Sequence, residues 1–209
     1  MADFTNEQLR LLAEPLHPDN VKTRQRLSYI EGHYVRDTLN RIFGHDGWST
    51  KIEELSHRGT VDVAKSDKTG SATAYTCVLS LRIHTPTGDH VIQDVGYGNS
   101  TMYTATAALD THELATKEAE TDSLKRCAVN LGEQFGLSLY GETGREDIDH
   151  RARELPSLAQ LKEKLTEMVT DILGREPTSR YEVGERAGIR TRDLNDRAAL
   201  QRALDRDDT

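Results

Sequence analysis

The sequence predicts an α+β fold: an antiparallel β-sheet of three to five strands with a long helix packed across it, and a small helical C-terminal region. Three observations predict it. Between residues 48 and 97, apolar and polar side chains alternate in several runs, the period of a half-buried strand. From about 104 to 135 the apolar spacing widens to three and four, the period of a helix. Beyond a charged, apolar-poor stretch at 141–153, only helical spacing recurs. The expected organisation is therefore a body over 1–145, a linker over 146–155 and a helical region over 156–209.

Each element has its own signal. A short helix over 6–14 stops before Pro15, and Pro18 marks a loop. Residues 21–26 carry Lys22, Arg24 and Arg26. Leu27, Ile30, Val35, Leu39, Ile42 and Phe43 place an amphipathic helix over 31–43, which Gly44 can end by taking a left-handed conformation. Residues 48–55 and 60–64 read as two short strands, and 66–71 as a turn. Residues 74–84 are the clearest strand, because Tyr75, Cys77, Leu79, Leu81 and Ile83 alternate with polar neighbours. Residues 85–89 make a hairpin loop, and the chain returns as a strand over 90–97. Short links favour an antiparallel meander over a parallel sheet. In the long helix Ala115, Ala119, Leu124, Cys127, Ala128, Leu131 and Phe135 line one side, and its small residues allow close packing on the sheet. Ser157 and Gln160 have capping-box spacing ahead of a helix carrying Leu158, Leu161, Leu165, Met168, Val169 and Ile172. Two shorter helices follow near 180–187 and 191–204. They read as a helix pair packed on the body or a partner, or more weakly as a helix-turn-helix with Gly188 in the turn.

Composition narrows the function. The 209 residues carry 35% apolar and 30% charged side chains, with net charge −8. Residues 1–145 hold 15 Lys+Arg against 20 Asp+Glu, and 146–209 hold 12 against 15. Any nucleic-acid site must therefore be a local concentration of cations. No apolar run approaches the ~20 residues of a membrane span, and no secretory signal is visible, so the expectation is no membrane and no export. Cys77 and Cys127 sit in apolar patterns and read as buried free thiols in a reducing compartment. The eight histidines show no metal-ligand spacing, and no carboxylate arrangement marks a two-metal site. Gly96-Tyr97-Gly98 lacks the third glycine of a dinucleotide fingerprint, since Thr101 stands there, and no Walker-type loop occurs. No cofactor, no metal and no enzymatic activity are expected.

Four ordered segments stand out: Tyr29-Ile30-Glu31-Gly32-His33; Leu39-Asn40-Arg41-Ile42-Phe43-Gly44 running on to Gly47-Trp48-Ser49; Asp94-Val95-Gly96-Tyr97-Gly98; and residues 117–126, which end in Lys125-Arg126. In this order the chain over about 21–140 resembles the DNA-binding domain of the Rad-fifty-two family of single-strand annealing proteins, of bacterial or phage type. The resemblance implies a sheet crossed by a long helix and assembly into rings or arcs. It also implies a groove that holds single-stranded DNA by its backbone, with annealing that needs no nucleotide hydrolysis. It assigns the Lys-Arg pair of the long helix, here Lys125 and Arg126, to that groove. Further cations common in the family are replaced by Val129 and Tyr34, and residues 101–106 hold no lysine.

The cations themselves point the same way. Lys125 and Arg126 project about 100° apart, and Lys117 lies two turns earlier, close to the same face. Cations along one helix edge can track a phosphate backbone and release its counterions. Arg24, Arg26 and Arg36 are the residues that can replace the missing groove cations. The expected DNA-binding set is Lys125, Arg126, Lys117, Arg24, Arg26 and Arg36. Trp48 reads as a core or subunit-contact residue. Tyr34, Tyr97 and Tyr103 lean to structural roles, with Gly96 and Gly98 supplying unusual backbone angles. Glu118 and Asp122 are read as partners in subunit salt bridges. The expected partners are single-stranded DNA, further copies of the chain and, through the C-terminal helices, a single-strand-binding protein or a recombinase. The expected setting is the cytoplasm of a bacterial or phage-infected cell, associated with the nucleoid. Competing functions are DNA-end protection on the same fold and, less favoured, a metal-dependent nuclease.

Overall fold

The computed structural model describes residues 4–24, 27–104, 107–141, 156–190, 194 and 197–207. The chain divides into two units, one of residues 1–16 with 20–144, the other of 17–19 with 145–209. The expected linker, 146–155, lies outside the described residues.

In the first unit, helix α1 (Asn6–Ala13) opens on a capping box in which Thr5 accepts from the Gln8 N–H and Gln8 accepts from the Thr5 N–H. Strands β1 (Val21–Arg24) and β2 (Leu27–Ile30) pair as a small hairpin. Helix α2 (Gly32–Phe43) follows and ends at Gly44, whose φ is +82°. The main sheet is an antiparallel meander of three long strands, β3 (Trp48–Lys65), β4 (Lys68–Thr85) and β5 (Gly88–Met102), with β4 in the centre. Helix α3 (Ala107–Val129) crosses it.

Three strands lie within the expected three to five, and the four segments read from the sequence reduce to three for a physical reason. The runs at 48–55 and 60–64 are one strand whose pairing with β4 shifts register between Ile52 and Glu54, and again between His57 and Gly59. Each bulge adds a residue and inverts the inside-outside alternation, so periodicity breaks although the strand continues. The turn expected over 66–71 is also tighter. Lys65 pairs with Lys68, and Ser66 takes φ +58°, so Lys68, Thr69 and Gly70 already belong to β4.

On β4 the alternation sets the core. Cys77, Leu79, Leu81 and Ile83 are buried and face Val35, Leu39 and Ile42 of α2 and Leu124, Cys127 and Ala128 of α3 within one cluster. Burial pushes both thiols above their ordinary range, and neither is in a disulfide. The buried line of α3 has a small residue at every fourth position: Thr111, Ala115, Ala119, Ser123 and Cys127, all fully buried. The opposing strand is equally spare. A Cβ on Gly96 would lie 2.2 Å from the Ser123 nitrogen, and one on Gly98 2.1 Å from the Ala115 carbonyl oxygen. Neither glycine has positive φ. This corrects the expected role, because they permit close approach of helix backbone to strand backbone and supply no unusual angle.

A second ladder ties α3 to β5. The Asn99 N–H donates to Glu118 at 2.7 Å, and the Tyr97 N–H to Asp122 at 3.1 Å. Four helical residues rise about 6 Å, close to the rise of about 6.7 Å for two strand residues, so side chains four apart meet strand positions two apart. Within this chain, then, the two carboxylates cap the edge of β5.

The second unit is helical. Helix α4 (Leu158–Leu173) starts at the Ser157–Gln160 capping box and ends at Gly174, φ +65°. Its Leu161, Leu165 and Val169 pack with Val183 of α5 (Arg180–Arg186), Leu194, and Leu200 and Ala203 of α6 (Arg197–Asp207). Helix α5 ends at Arg186 and α6 runs from Arg197; residues 191–193, 195 and 196, where the helix-turn-helix reading places the start of its second helix, lie outside the described residues.

Candidate nucleic-acid interface

The four signature segments are far apart in sequence; the fourth lies in α3, and the first and third meet it. Gly32, the first residue of α2, lies under Thr121, where a Cβ would come 2.5 Å from the threonine methyl. In the second segment the Trp48 Nε1–H donates to Asn40 Oδ1 at 2.9 Å, and Trp48 packs on the core, in keeping with its expected structural role. The third segment meets α3 through Gly96, Gly98 and Asp94, whose carbonyl accepts from the Ser123 hydroxyl at 3.0 Å. Much of the signature is thus the packing code that fixes the direction of α3 relative to the strands and to β2.

At the C-terminal end of α3 stand Lys125 and Arg126. Helix carbonyls give this end a partial negative charge, so an anion here must be held by side chains rather than by main-chain N–H groups. Lys125 is half-buried, and its Nζ lies 5.9 Å from the centroid of the Tyr29 ring in β2. Across the hairpin, Tyr29 pairs in register with the exposed Lys22. Among the described residues Lys125 makes no ion pair, so its charge remains available.

The other expected cations are more engaged. Arg126 is exposed, and its Nε donates to Asp94 Oδ1 at 3.1 Å. The carboxylate holds its guanidinium charge even more firmly than usual. Arg36 bonds through Nη2 to Glu120 Oε1 at 2.7 Å, joining α2 to α3. Lys117 is exposed and pairs with Glu113 one turn earlier on its own helix. Lys117 and Lys125 are about 80° apart around the axis, and the Glu113 pair draws Lys117 toward the preceding turn. Arg24 occupies β1 opposite Leu27, and Arg26 lies outside the described residues. Tyr34, at one of the family's cation positions, donates to the Gln134 carbonyl at 3.1 Å. Gln134 is a buried hub that also accepts from Arg41 Nη2 and donates to the carbonyls of Glu14 and Pro15.

Sequence reasoning did not single out Tyr29, Lys22 or Asp94 as members of this site. Alternation across the 21–30 hairpin could have paired Lys22 with Tyr29. Nothing local could have paired Asp94 with Arg126, 32 positions away. Glu118 and Asp122, expected at subunit salt bridges, accept main-chain N–H groups of β5 within this chain. Among the described residues, no cluster of three or more His, Cys, Asp or Glu side chains could hold a metal ion, and no helix is long and apolar enough to cross a membrane.

Comparison with known proteins decides the family. Residues 5–156 match the model of the Rad52/22 family double-strand break repair protein. The chain belongs to that family. It is 31% identical over 143 residues to the DNA repair and recombination protein RAD52 of Kluyveromyces lactis, covering 66% of this chain and 31% of the relative. To RAD52 of Saccharomyces cerevisiae it is 30% identical over 143 residues, covering 66% of this chain and 28% of the relative. To the DNA repair and recombination protein rti1 of Schizosaccharomyces pombe it is 30% identical over 148 residues, covering 66% and 38%. The chain thus spans a third or so of the length of these Rad52-family relatives.

Proposed function

We propose that this chain binds single-stranded DNA at Lys125 and Arg126 and anneals complementary strands in recombination and double-strand break repair, as an oligomer and without nucleotide hydrolysis or a metal. The observation that carries the reading is the meeting of the first and third family segments with α3, at whose end Lys125, without an ion pair among the described residues, stands beside Tyr29. A backbone-holding cation row leaves base edges free, which is what sequence-independent pairing requires. Tyr29 and Lys22 extend the row onto the hairpin, and Arg24 and Arg26 continue it along the sequence. Arg36 and Lys117 take a lesser part, because Arg36 spends a terminal amino group on Glu120 and Lys117 its ammonium group on Glu113, whereas Arg126 meets Asp94 through Nε.

Net charge −8 supports assembly, since several copies must align their cations to outweigh the acidic background. Residues 1–145 serve as the DNA-binding and oligomerisation part. Residues 156–209, with their own apolar core, serve as the attachment for a single-strand-binding protein or a recombinase. The bacterial or phage setting rests on the sequence alone, since the relatives named above are yeast proteins.

The test mixes two complementary labelled oligonucleotides with and without protein. Annealing predicts faster pairing. Binding without acceleration supports DNA-end protection instead, and strand cleavage on adding magnesium or manganese supports a nuclease. Lys125→Ala with Arg126→Ala should weaken single-strand binding at low salt and lower the salt slope by about 0.7 for each phosphate no longer neutralised. Unchanged affinity would remove these residues from the site.

A further inference from the structure

The α3–β5 ladder changes polarity at its third rung. At Glu118 and Asp122 the helix supplies a carboxylate to a strand N–H. Four residues on, at 126, the helix supplies a guanidinium and the strand supplies the carboxylate, Asp94. Asp94 Oδ1 also accepts the Val95 N–H at 2.7 Å, so the strand caps its own N–H at this rung.

We propose that Asp94 is a positioning residue for Arg126. It holds the guanidinium by Nε, so that the terminal amino groups stay turned outward for a DNA phosphate beside Lys125. The inference rests on the DNA-binding reading above.

Three features of the contact support it. Among the described residues, Arg126 hydrogen-bonds a side chain through Nε alone, which leaves Nη1 and Nη2 to grip a phosphate in two-pronged fashion. Asp94 cannot follow a moving arginine, because its carboxylate is held by the Val95 N–H and its carbonyl by the Ser123 hydroxyl. An exposed arginine fixed beforehand loses less freedom on binding. The carboxylate's charge acts the other way. Close to a phosphate it repels, so on charge alone its removal should tighten binding. Charge and positioning therefore predict opposite signs for one substitution.

The experiment measures affinity of the full chain for a fluorescein-labelled oligodeoxythymidylate by anisotropy at stepped salt. A stoichiometric titration fixes the active fraction of each variant. Arg126→Ala should weaken binding. Asp94→Asn keeps an oxygen for the Val95 N–H and removes the ion pair. It should weaken binding about three- to tenfold, the worth of one hydrogen bond, despite the loss of a negative charge. Arg126→Lys, which lacks Nε, should weaken it similarly, and the double variant D94N/R126K should be no weaker than either single one. A clamp with no role in binding would lower the thermal midpoint and the active fraction but leave the affinity of folded protein unchanged. If Asp94→Asn binds as tightly as the parent or more tightly while Arg126→Ala weakens binding, positioning is overturned and the DNA site stands. If Arg126→Ala leaves affinity unchanged, the DNA-binding reading of Arg126 fails, and positioning fails with it. Should Asp94→Asn not fold, Asp94→Glu displaces the carboxylate by one methylene at constant charge and is expected to weaken binding in the same direction.

Discussion

Single atoms decide how close α3 can lie to β5. At Gly96 an added methyl would meet the Ser123 nitrogen at 2.2 Å and the Ala119 carbonyl oxygen at 2.4 Å. Both are helix backbone, so no side chain can swing aside and the helix must lift. Gly96→Ala should therefore cost about 3 kcal/mol, at the upper end of overpacking penalties. It should also lengthen the Asp94–Arg126 contact. Denaturant unfolding of the variant checks the first effect, and a midpoint within experimental error of the parent would count against it. At this scale the sequence was partly legible. Gly96 and Gly98 stood out, yet their reason did not, because alternation in a strand does not say which helix will lie across it. Lys125 and Arg126 were singled out by the ordered segments, as candidates. Asp94 was not legible as the partner of Arg126, because that pairing exists only once β5 and α3 have docked.

At the scale of elements, a polar chain anchors the first turns of α3. The Thr111 hydroxyl donates to the Ala108 carbonyl at 3.2 Å, which commits its single proton. Thr73 must then donate to Thr111, and Thr60 to Thr73. Thr60 Oγ1 is left to accept from His57 Nε2 at 2.9 Å and His112 Nε2 at 3.3 Å. His112, its proton on Nε2, accepts at Nδ1 from the Tyr75 hydroxyl at 2.9 Å. The donor sequence thus fixes the tautomer of His112. His112→Phe keeps the ring and removes both bonds, so it should destabilise the first unit by about 1 kcal/mol, read as a lower unfolding midpoint. No change would mean that Tyr75 and Thr60 turn to water without loss. This network was invisible to periodicity, which follows apolar residues, whereas Thr73 and Thr111 are polar and fully or nearly fully buried. The elements themselves were more legible. Helix ends at Ser157 and Gly44 carry local capping chemistry, whereas the continuity of β3 was hidden by its two bulges.

At the scale of the whole molecule, the two units keep separate cores and their charges do separate work. In the second unit Glu182 is the anchor of the α4–α5 connection. Arg175 Nη2 donates to it at 2.6 Å, and the Thr178 N–H and hydroxyl donate at 2.7 and 3.0 Å. The arginine first, then the threonine, holds its carboxyl down to about 2, against an ordinary value of 4.5. A carboxyl depressed on folding stabilises the folded form above the unfolded value, and that contribution fades as pH falls from about 4.5 toward 2. Glu182→Gln cannot ionise and should lack this part of the pH dependence. Thermal melts followed by nuclear magnetic resonance signals of residues 178–183, stepped from pH 5.5 to 2.5, provide the comparison. The variant should melt below the parent at the upper end, and the two should converge toward the lower end as protonation removes the parent's advantage. Parallel profiles would show that the Arg175–Glu182 pair, with its arginine exposed and its glutamate half-buried, contributes nothing measurable, as many surface pairs do. In that case the apolar contacts of Leu161, Leu165 and Val169 with Val183 and Leu200 carry the unit without it.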